Sequence, residues 1–216
     1  MKTSCLAIAF LLTCLVPCPA EALAPNFLTD HEAVNPDGTV NMVVEIPAGS
    51  NEKWEVKKKS ENPQGLLVRD IEDGRPRTVK YLPYPFNYGM VPNTVLSEEK
   101  GGDGDPVDVI LLGPSRPRGS VHPVKVIGLI KLVDRGQIDY KLIGVSQEDP
   151  LGQAGSLEDL NRDFRGITAI IETFFLNYKG PGKMQSSGFD GPEEAMKFLK
   201  AFIAAPLPPA ASQPGR

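Results

Sequence analysis

Three carboxylates crowd the short segment Asp103-Gly104-Asp105-Pro106-Val107-Asp108. Like charges packed this closely repel one another unless cations lie between them. Carboxylate oxygens suit hard divalent ions such as Mg²⁺ and Mn²⁺, and the sequence offers no soft ligand nearby. Acidic turns with glycine are also common in solvated loops. This segment by itself therefore leaves a metal site and an ordinary turn as equal alternatives.

The same segment does not fit the calcium-binding loop of an EF-hand. If Asp103 is the first position of such a loop, Pro106 falls at the fourth, and the glycine required at the sixth is absent. Pro114 then stands where the loop needs its bidentate glutamate. The EF-hand is therefore excluded.

A second acidic turn follows the next long apolar stretch. It contains Asp134 and Asp139, and Lys141 comes directly after it. Because the turn lies between two predicted strands, its side chains can project from the same sheet end as the first cluster and share ions with it. The spacing also fits a plain hairpin turn, which we favour for this turn taken alone.

The segment 80–89 is rich in proline and tyrosine, which argues against a regular strand. The phenol hydroxyls of its tyrosines can donate hydrogen bonds to anionic oxygens. The alternative is that these rings only cover the core, and this is the interpretation we prefer for Tyr81.

Length, composition and the first residues indicate one exported domain. A chain of 216 residues with 41% hydrophobic residues and no repeat can bury a single core. Lys2, the apolar stretch 6–16 and the small residues at 20–24 are typical of a secretory signal peptide, which we place at residues 1–22. We expect a single domain over 23–204 and a disordered, Pro- and Ala-rich tail over 205–216.

Cysteine usage and charge limit the chemistry and the partners. All three cysteines lie in the predicted signal peptide, so the mature chain should carry no thiol, disulfide or zinc-thiolate site. Pro17 before Cys18 disfavours a lipoprotein anchor, and we expect a secreted or periplasmic protein without stable membrane association. The net charge of −4 disfavours a nucleic-acid partner. We interpret the basic run 57–59 as a solvated strand end.

Hydrophobic alternation and turn residues predict a mainly β core that is followed by helices. Predicted strands cover 40–46, 53–57, 66–69, 78–82, 107–112, 121–133 and 139–145. Helical spacing begins late: Ser156 and Asp159 form a capping signal. Apolar residues then recur at helical spacing on a core-facing stripe that comprises Ile167, Ile170, Ile171, Phe174, Phe175 and Tyr178. Another helix is expected from Pro192 to about Ile203.

Six separated segments, taken in order, resemble the family I soluble inorganic pyrophosphatases. The segments are 42–47, 53–55, 84–89, 103–109, 134–141 and 178–179. The stretch Asp-Gly-Asp-Pro-Val-Asp-Val at 103–109 is among the most specific signatures of that family. The resemblance implies an α+β, mainly β fold, an OB-like five-stranded closed β-barrel with flanking helices. It also implies hydrolysis of pyrophosphate to two orthophosphates with several Mg²⁺ ions, for which Mn²⁺ or Zn²⁺ can substitute.

The resemblance also implies roles for individual residues. The implied metal ligands are Asp103, Asp108, Asp134 and Asp139, together with Glu45 and Glu55, which hold ions mostly through water. Asp105 matches the general base that activates the attacking water. The implied substrate-binding residues are Lys53, Arg77, Tyr88, Lys141, Tyr178 and Lys179, and the first four of these also count as catalytic. Tyr84 matches a tyrosine near the site, and among Arg69, Arg75 and Arg77 the last aligns best.

Two departures from the family pattern stand out. Arg135 follows Asp134 where the family commonly has an acidic residue, which is expected to weaken one ion site without removing a core ligand. The segment 70–77 is longer than in the compact bacterial members and is more similar to the eukaryotic type. The resemblance implies a homo-oligomer, but it leaves hexamer and dimer open, since the compact members tend to form hexamers and the eukaryotic members dimers.

Two other functions stay open on the sequence. One is a non-catalytic module on the same barrel that binds Ca²⁺ and phosphate, because Ca²⁺ can fill an acidic cluster yet activates water poorly. The other is a hydrolase that acts on polyphosphate or nucleotides instead of pyrophosphate.

Overall fold

The computed structural model describes residues 24–204, so the predicted signal peptide (1–22) and the predicted tail (205–216) lie outside the described residues. The strands are β1 (Val40–Ile46), β2 (Trp54–Glu55), β3 (Val68–Arg69), β4 (Ile71–Glu72), β5 (Arg75–Pro76), β6 (Asn87–Met90), β7 (Asp108–Leu112), β8 (Val121–Asp134), β9 (Gln137–Ile138), β10 (Lys141–Val145) and β11 (Met184–Asp190). The helices are α1 (Leu157–Asp163), α2 (Ile167–Asn177) and α3 (Pro192–Phe202), and a short 3₁₀ turn covers Glu98–Lys100.

Five of the strands close into a ring. They pair in the order β1, β6, β7, β10 and β8, and β8 pairs again with β1. Every pair in the ring is antiparallel except β7 with β10, which is parallel. β8 is 14 residues long, so its far half also pairs with β9 and β11. The ring and its three helices confirm the predicted mainly β, OB-like architecture.

The ring strands are buried on both faces, as strand β7 shows. Its residues Val109 and Leu111 pack in a cluster with side chains of α3. The alternating residues Ile110 and Leu112 pack in a second cluster with side chains of α1 and α2. Because side chains alternate between the two faces of a strand, a strand covered on both sides is a continuous apolar run. This continuous apolar run is why the sequence predicts a strand at 107–112.

The predicted helices are found, with one misplaced residue. The Ser156 hydroxyl accepts a hydrogen bond from the Asp159 amide at 3.2 Å and caps α1, and α3 begins at Pro192. The prediction that Ile170 lies on the core side of α2 is wrong. Its side chain is 54% exposed and lines an apolar groove on the surface. Between residues 24 and 204, no helix has the length and apolar character needed to cross a membrane.

The proline-rich segment 80–89 was misjudged in two ways. The predicted strand 78–82 does not form, apart from one isolated bridge between Thr78 and Glu52. Strand β6, which the tyrosines and prolines argued against, begins just after the last proline and pairs on both edges. Tyr81 is 39% exposed, and its ring packs against the buried core residue Phe174 with centroids 6.0 Å apart, so it covers one edge of the core. The prolines therefore did not prevent a regular strand from starting shortly after them.

Strand β11 and the hairpin of β4 and β5 were not predicted. β11 has the sequence MQSSGFD, which contains no β-branched residue and little hydrophobic alternation. It forms because β8 offers it a long free edge, with pairs that run from Met184 to Asp190. Tertiary pairing overrides local propensity here.

Strand β6 approaches β1 closely, which gives a test of the ring. A Cβ atom on Gly89 would lie only 1.8 Å from the carbonyl oxygen of Val43. We expect Gly89→Ala to lower the free energy of unfolding by about 3 kcal/mol or more, because the backbones must separate. Gly191→Ala is the control, since nothing lies within 4 Å of its Cβ position. Urea unfolding checks this, and equal stabilities of the two variants would contradict the closed ring.

Candidate active site

The predicted site residues meet at one end of the ring. Strands β7 and β10 are parallel neighbours, and their first residues, Asp108 and Lys141, are paired in register. The acidic loops that precede both strands therefore reach the same end of the sheet. One cleft there is lined by all the predicted site residues except Asp134, namely Glu45, Lys53, Glu55, Arg77, Tyr88, Asp103, Asp105, Asp108, Asp139, Lys141, Tyr178 and Lys179. Asp134 ends β8 and lines an adjoining cavity.

Lys141 is the buried centre of this cleft. Its side chain is 1% exposed, and its Nζ atom lies 2.6 Å from Asp108 Oδ2 and 2.9 Å from Asp139 Oδ1. The Tyr88 hydroxyl lies 3.3 Å from the same ammonium. Burial disfavours the charged form, but the two carboxylates outweigh it and hold the pKa of Lys141 well above its usual range. The lysine is therefore a fixed positive charge between the two acidic loops.

A second lysine, Lys179, neutralises Asp134. Lys179 Nζ lies 2.7 Å from Asp134 Oδ2. Tyr178 is the C-terminal cap of α2 and stacks on Phe174, with ring centroids 5.4 Å apart. Because Lys179 follows this cap directly, helix α2 places both residues at the mouth of the cleft.

The acidic residues fit a hard divalent cation. Asp134 Oδ1 and Asp139 Oδ2 are buried and find no hydrogen-bond partner among the described residues. A buried carboxylate oxygen without a partner is costly, and a bound cation with a preference for oxygen satisfies it. Within residues 24–204, no three acidic or histidine side chains already form a coordination shell. Lys141 and Lys179 instead neutralise three carboxylates here.

The loop that carries Asp105 is held by backbone hydrogen bonds. Asp105 Oδ1 accepts from the Lys58 amide at 2.9 Å, and Asp103 Oδ1 accepts from the Asp105 amide at 3.0 Å. Gly104 between them has φ +88°, a left-handed conformation that suits glycine. Burial, with a further contribution from the Asp103 charge, raises the pKa of Asp105 to about 6. In the absence of cations, Asp105 is thus a carboxylate poised to exchange a proton near neutral pH.

Lys58 was missed by sequence reasoning. We interpreted the basic run 57–59 as a solvated strand end, yet the Lys58 ammonium also donates to the carbonyl oxygen of Asp103 at 3.1 Å. Lys58 thus holds the acidic loop through hydrogen bonds from both its backbone amide and its side-chain ammonium. The sequence contained a basic run and an acidic turn, but no signal that paired them.

Glu45 and Glu55 lie on the opposite wall of the cleft, near Lys53. Glu45 is 3% exposed and accepts from the Val56 amide at 2.7 Å. Burial raises the pKa of Glu45 to about 8, an effect that the Lys53 ammonium partly opposes. Glu55 pairs with Lys53 at 3.6 Å and with Lys57 at 3.4 Å. This wall therefore mixes both charges.

The arginine of the cleft is Arg77. Its Nη1 atom lies 2.9 Å from Asp70 Oδ2, an aspartate that sequence reasoning did not single out. Arg69 instead pairs with Glu52 at 2.9 Å, and Arg75 is exposed on the hairpin of β4 and β5. Of the three candidate arginines, Arg77 alone lines the cleft.

Tyr84 supports the site from below without lining it. Its ring is 1% exposed and lies 5.3 Å from the ring of Tyr88 and 6.1 Å from that of Tyr178, measured between centroids. The two tyrosines at the cleft are thus fixed by aromatic packing.

Removing the buried ammonium tests the charge balance of the site. We expect Lys141→Met to cost about 3–5 kcal/mol of unfolding free energy without divalent ions, because Asp108 and Asp139 lose their partner. Added Mg²⁺ should restore part of that loss by binding the folded state. Lys197→Met, at a largely exposed lysine, serves as the control. Urea unfolding with and without Mg²⁺ measures both effects, and a Lys141→Met variant as stable as the control would contradict this description.

Comparison with known proteins agrees with this geometry. The family model for inorganic pyrophosphatase matches residues 42–205. An inorganic pyrophosphatase of Dictyostelium discoideum is 36% identical over 176 residues, which cover 76% of this chain and 62% of that relative. This chain thus spans less than two thirds of that relative's length.

Solved structures show the same fold. The inorganic pyrophosphatase of Schistosoma japonicum aligns with a TM-score of 0.77 and 28% identity, over 82% of this chain and 70% of that one. The enzyme of Helicobacter pylori aligns with a TM-score of 0.66 and 30% identity, over 81% of this chain and 96% of that one. The sequence match, the closed ring and the acidic cleft lead to one conclusion: this chain belongs to the inorganic pyrophosphatase family.

Proposed function

We propose that this chain hydrolyses inorganic pyrophosphate to two orthophosphates with divalent cations, Mg²⁺ foremost. The observation that carries the proposal is the cleft itself, which carboxylates and cationic side chains line together in a member of this family. The relatives and solved structures named above are themselves described as inorganic pyrophosphatases.

The cleft suits a small, highly charged anion. Lys53, Arg77 and Lys179 line it and supply positive charge to phosphate oxygens. The hydroxyls of Tyr88 and Tyr178 can donate to the same oxygens. Such cations act by stabilising charge on the transferring and leaving phosphoryl groups. Polar and charged groups make up most of the lining of the cleft, which favours a small anion over a larger apolar group.

The residues that would hold the cations are Asp103, Asp108, Asp134 and Asp139, with Glu45 and Glu55 acting through water. Cations bound there would neutralise the substrate and lower the pKa of the attacking water. Lys141 keeps Asp108 and Asp139 in place while the site is empty of substrate. Its ammonium is then available to a phosphoryl oxygen once other cations compensate the carboxylates.

Asp105 is the proposed general base. The Lys58 amide holds its Oδ1 atom, which leaves Oδ2 to accept a proton from the attacking water. Asp105 lines the cleft but not the adjoining cavity, which Arg77 and Lys179 also line. We therefore assign the attacked phosphoryl group to the end near Asp105 and the leaving phosphate to the end near Arg77 and Lys179.

The decisive test is phosphate release from pyrophosphate by the purified chain with Mg²⁺. We expect Asp105→Asn to lower kcat by about 10²–10⁴-fold, the usual contribution of a general base. Asp37→Asn, at an acidic residue outside the cleft, is the matched control and should keep full activity. Equal rates for wild type and Asp105→Asn would remove Asp105 from the base role.

Metal exchange separates the enzyme from the non-catalytic alternative. Chelation should abolish phosphate release and Mg²⁺ should restore it, whereas Ca²⁺ should occupy the same carboxylates and inhibit. Calorimetry of Mg²⁺ and Ca²⁺ binding runs in parallel with the assay. A folded chain that binds both ions and pyrophosphate without turnover would establish the binding module instead.

Export and assembly are also part of the proposal. The predicted signal peptide supports export of the mature domain 23–204, although relatives carry chloroplastic and mitochondrial names. We expect expression of the full chain in a secreting host to yield a product outside the cytoplasm that has lost about 22 residues. Mass spectrometry of that product tests this, and a full-length cytoplasmic product would contradict it. Light scattering of the same product tests the predicted homo-oligomer.

A further inference from the structure

The Lys141 ammonium has aromatic neighbours as well as carboxylate partners. Its Nζ atom lies over the ring of Tyr88, 5.3 Å from the ring centre, and over the ring of Phe175 at 5.4 Å. Both distances allow a cation–π attraction, in which a cation is drawn to the negative face of an aromatic ring. Because Lys141 is buried, water screens this attraction little. The ammonium therefore has two kinds of partner, one charged and one aromatic.

Phe175 faces the ammonium from behind the wall of the cleft. It belongs to α2, its side chain is fully buried, and it is not among the residues that line the cleft. Tyr88 does line the cleft, and its ring lies 6.3 Å from that of Phe175 at an angle of 52°. The two rings thus form a corner against the ammonium, which we call the aromatic corner.

The ring of Phe175 is itself fixed by its neighbours. Its centroid lies 5.4 Å from that of Phe86 and 5.7 Å from that of Tyr178. A close-packed core ring of this kind moves little when a ligand binds. Phe175 therefore offers the lysine a contact whose position is set by the core.

The carboxylate partners of Lys141 have a second task, which the aromatic corner does not share. Asp108 and Asp139 neutralise the lysine, and both are proposed cation ligands. Once divalent cations bind them, a buried ammonium would lose part of its compensation, which is costly. Mg²⁺ takes oxygen ligands, so it does not compete for the aromatic faces. The rings can therefore keep their contact with the lysine while the aspartates hold cations.

We propose that Phe175 is a positioning residue: its ring face keeps the Lys141 ammonium in the cleft, close to a phosphoryl oxygen, while divalent cations occupy the aspartates. The inference rests on the proposed function, because that function gives Lys141 a phosphoryl group to contact. Phe175 acts through Lys141 and contacts neither the substrate nor the cations.

The test changes the charge on the ring face and nearly preserves the size of the ring. In the full chain, Phe175 is replaced by phenylalanine that carries one, two or three fluorine atoms, because each fluorine makes the face less negative and weakens a cation–π contact. We expect kcat/KM for pyrophosphate with Mg²⁺ to fall in steps along this series, by about tenfold for the trifluorinated ring. Urea unfolding checks that each variant is folded before its rate is compared.

The same fluorinated series at Phe86 is the matched control. Phe86 is also buried and packs against Phe175. Within residues 24–204, however, no ammonium or guanidinium lies over the ring of Phe86. We expect the Phe86 series to keep the wild-type kcat/KM. A purely structural role of Phe175 would make the two series alike, with losses that follow the unfolding free energy.

A binding measurement gives a readout that does not need turnover. In the Asp105→Asn background, calorimetry measures binding of pyrophosphate in the presence of Mg²⁺ for both fluorinated series. We expect the affinity to fall stepwise in the Phe175 series and to stay constant in the Phe86 series. Equal losses in the two series, or a Phe175 series without any loss, overturn the positioning role.

The outcomes separate the two proposals. A wild-type chain that releases phosphate at a rate which no fluorinated ring at Phe175 changes overturns the positioning role and leaves the proposed function intact. A chain that binds pyrophosphate without turnover overturns the proposed function, and the calorimetry then decides the role of Phe175 on its own. A chain that neither binds nor cleaves pyrophosphate overturns both.

Discussion

The contact of Lys141 with Asp108 and Asp139 is the interaction on which the rest of the site depends. It joins the first residue of β10 to the first residue of β7 and to the loop before β10. A buried ammonium is stable only when paired, and two nearby carboxylates are stable only when compensated. The parallel register of β7 and β10 satisfies both requirements at once. β8, which is 14 residues long, pairs with both β10 and β1 and so closes the ring around them.

The other charged groups of the cleft are likewise held in place by contacts with protein partners. Asp134 is held by Lys179, Arg77 by Asp70, and the Asp103–Asp105 loop by Lys58. These charged groups therefore have protein partners that fix their positions in the cleft. Fixed positions lower the cost of organising the site when an anion and cations arrive. Two buried carboxylate oxygens, Asp134 Oδ1 and Asp139 Oδ2, find no hydrogen-bond partner within residues 24–204. A bound cation would supply the missing partner.

Much of the fold was predictable, and the reasons for the misses are physical. Strands covered on both faces, such as β7, are continuous apolar runs, and α1 carries a capping signal at Ser156. β11 and β6 were missed because one lacks β-branched residues and the other follows two prolines, so that only the free edges of neighbouring strands explain them. The site residues were inferred through a family resemblance. Lys58 and Asp70 were missed because their roles depend on contacts that no sequence spacing encodes.

The central claim is that the aspartate cluster of the cleft, part of which Lys141 neutralises, would hold the divalent cations of the proposed reaction. The most direct measurement is anomalous diffraction from crystals of the mature chain with Mn²⁺ and a non-hydrolysable pyrophosphate analogue. The account predicts Mn²⁺ bound by the aspartate cluster, that is by residues among Asp103, Asp108, Asp134 and Asp139, and a Lys141 ammonium that no longer pairs with both Asp108 and Asp139. Analogue bound in the cleft without any Mn²⁺, and Lys141 still paired with both aspartates, would contradict the account.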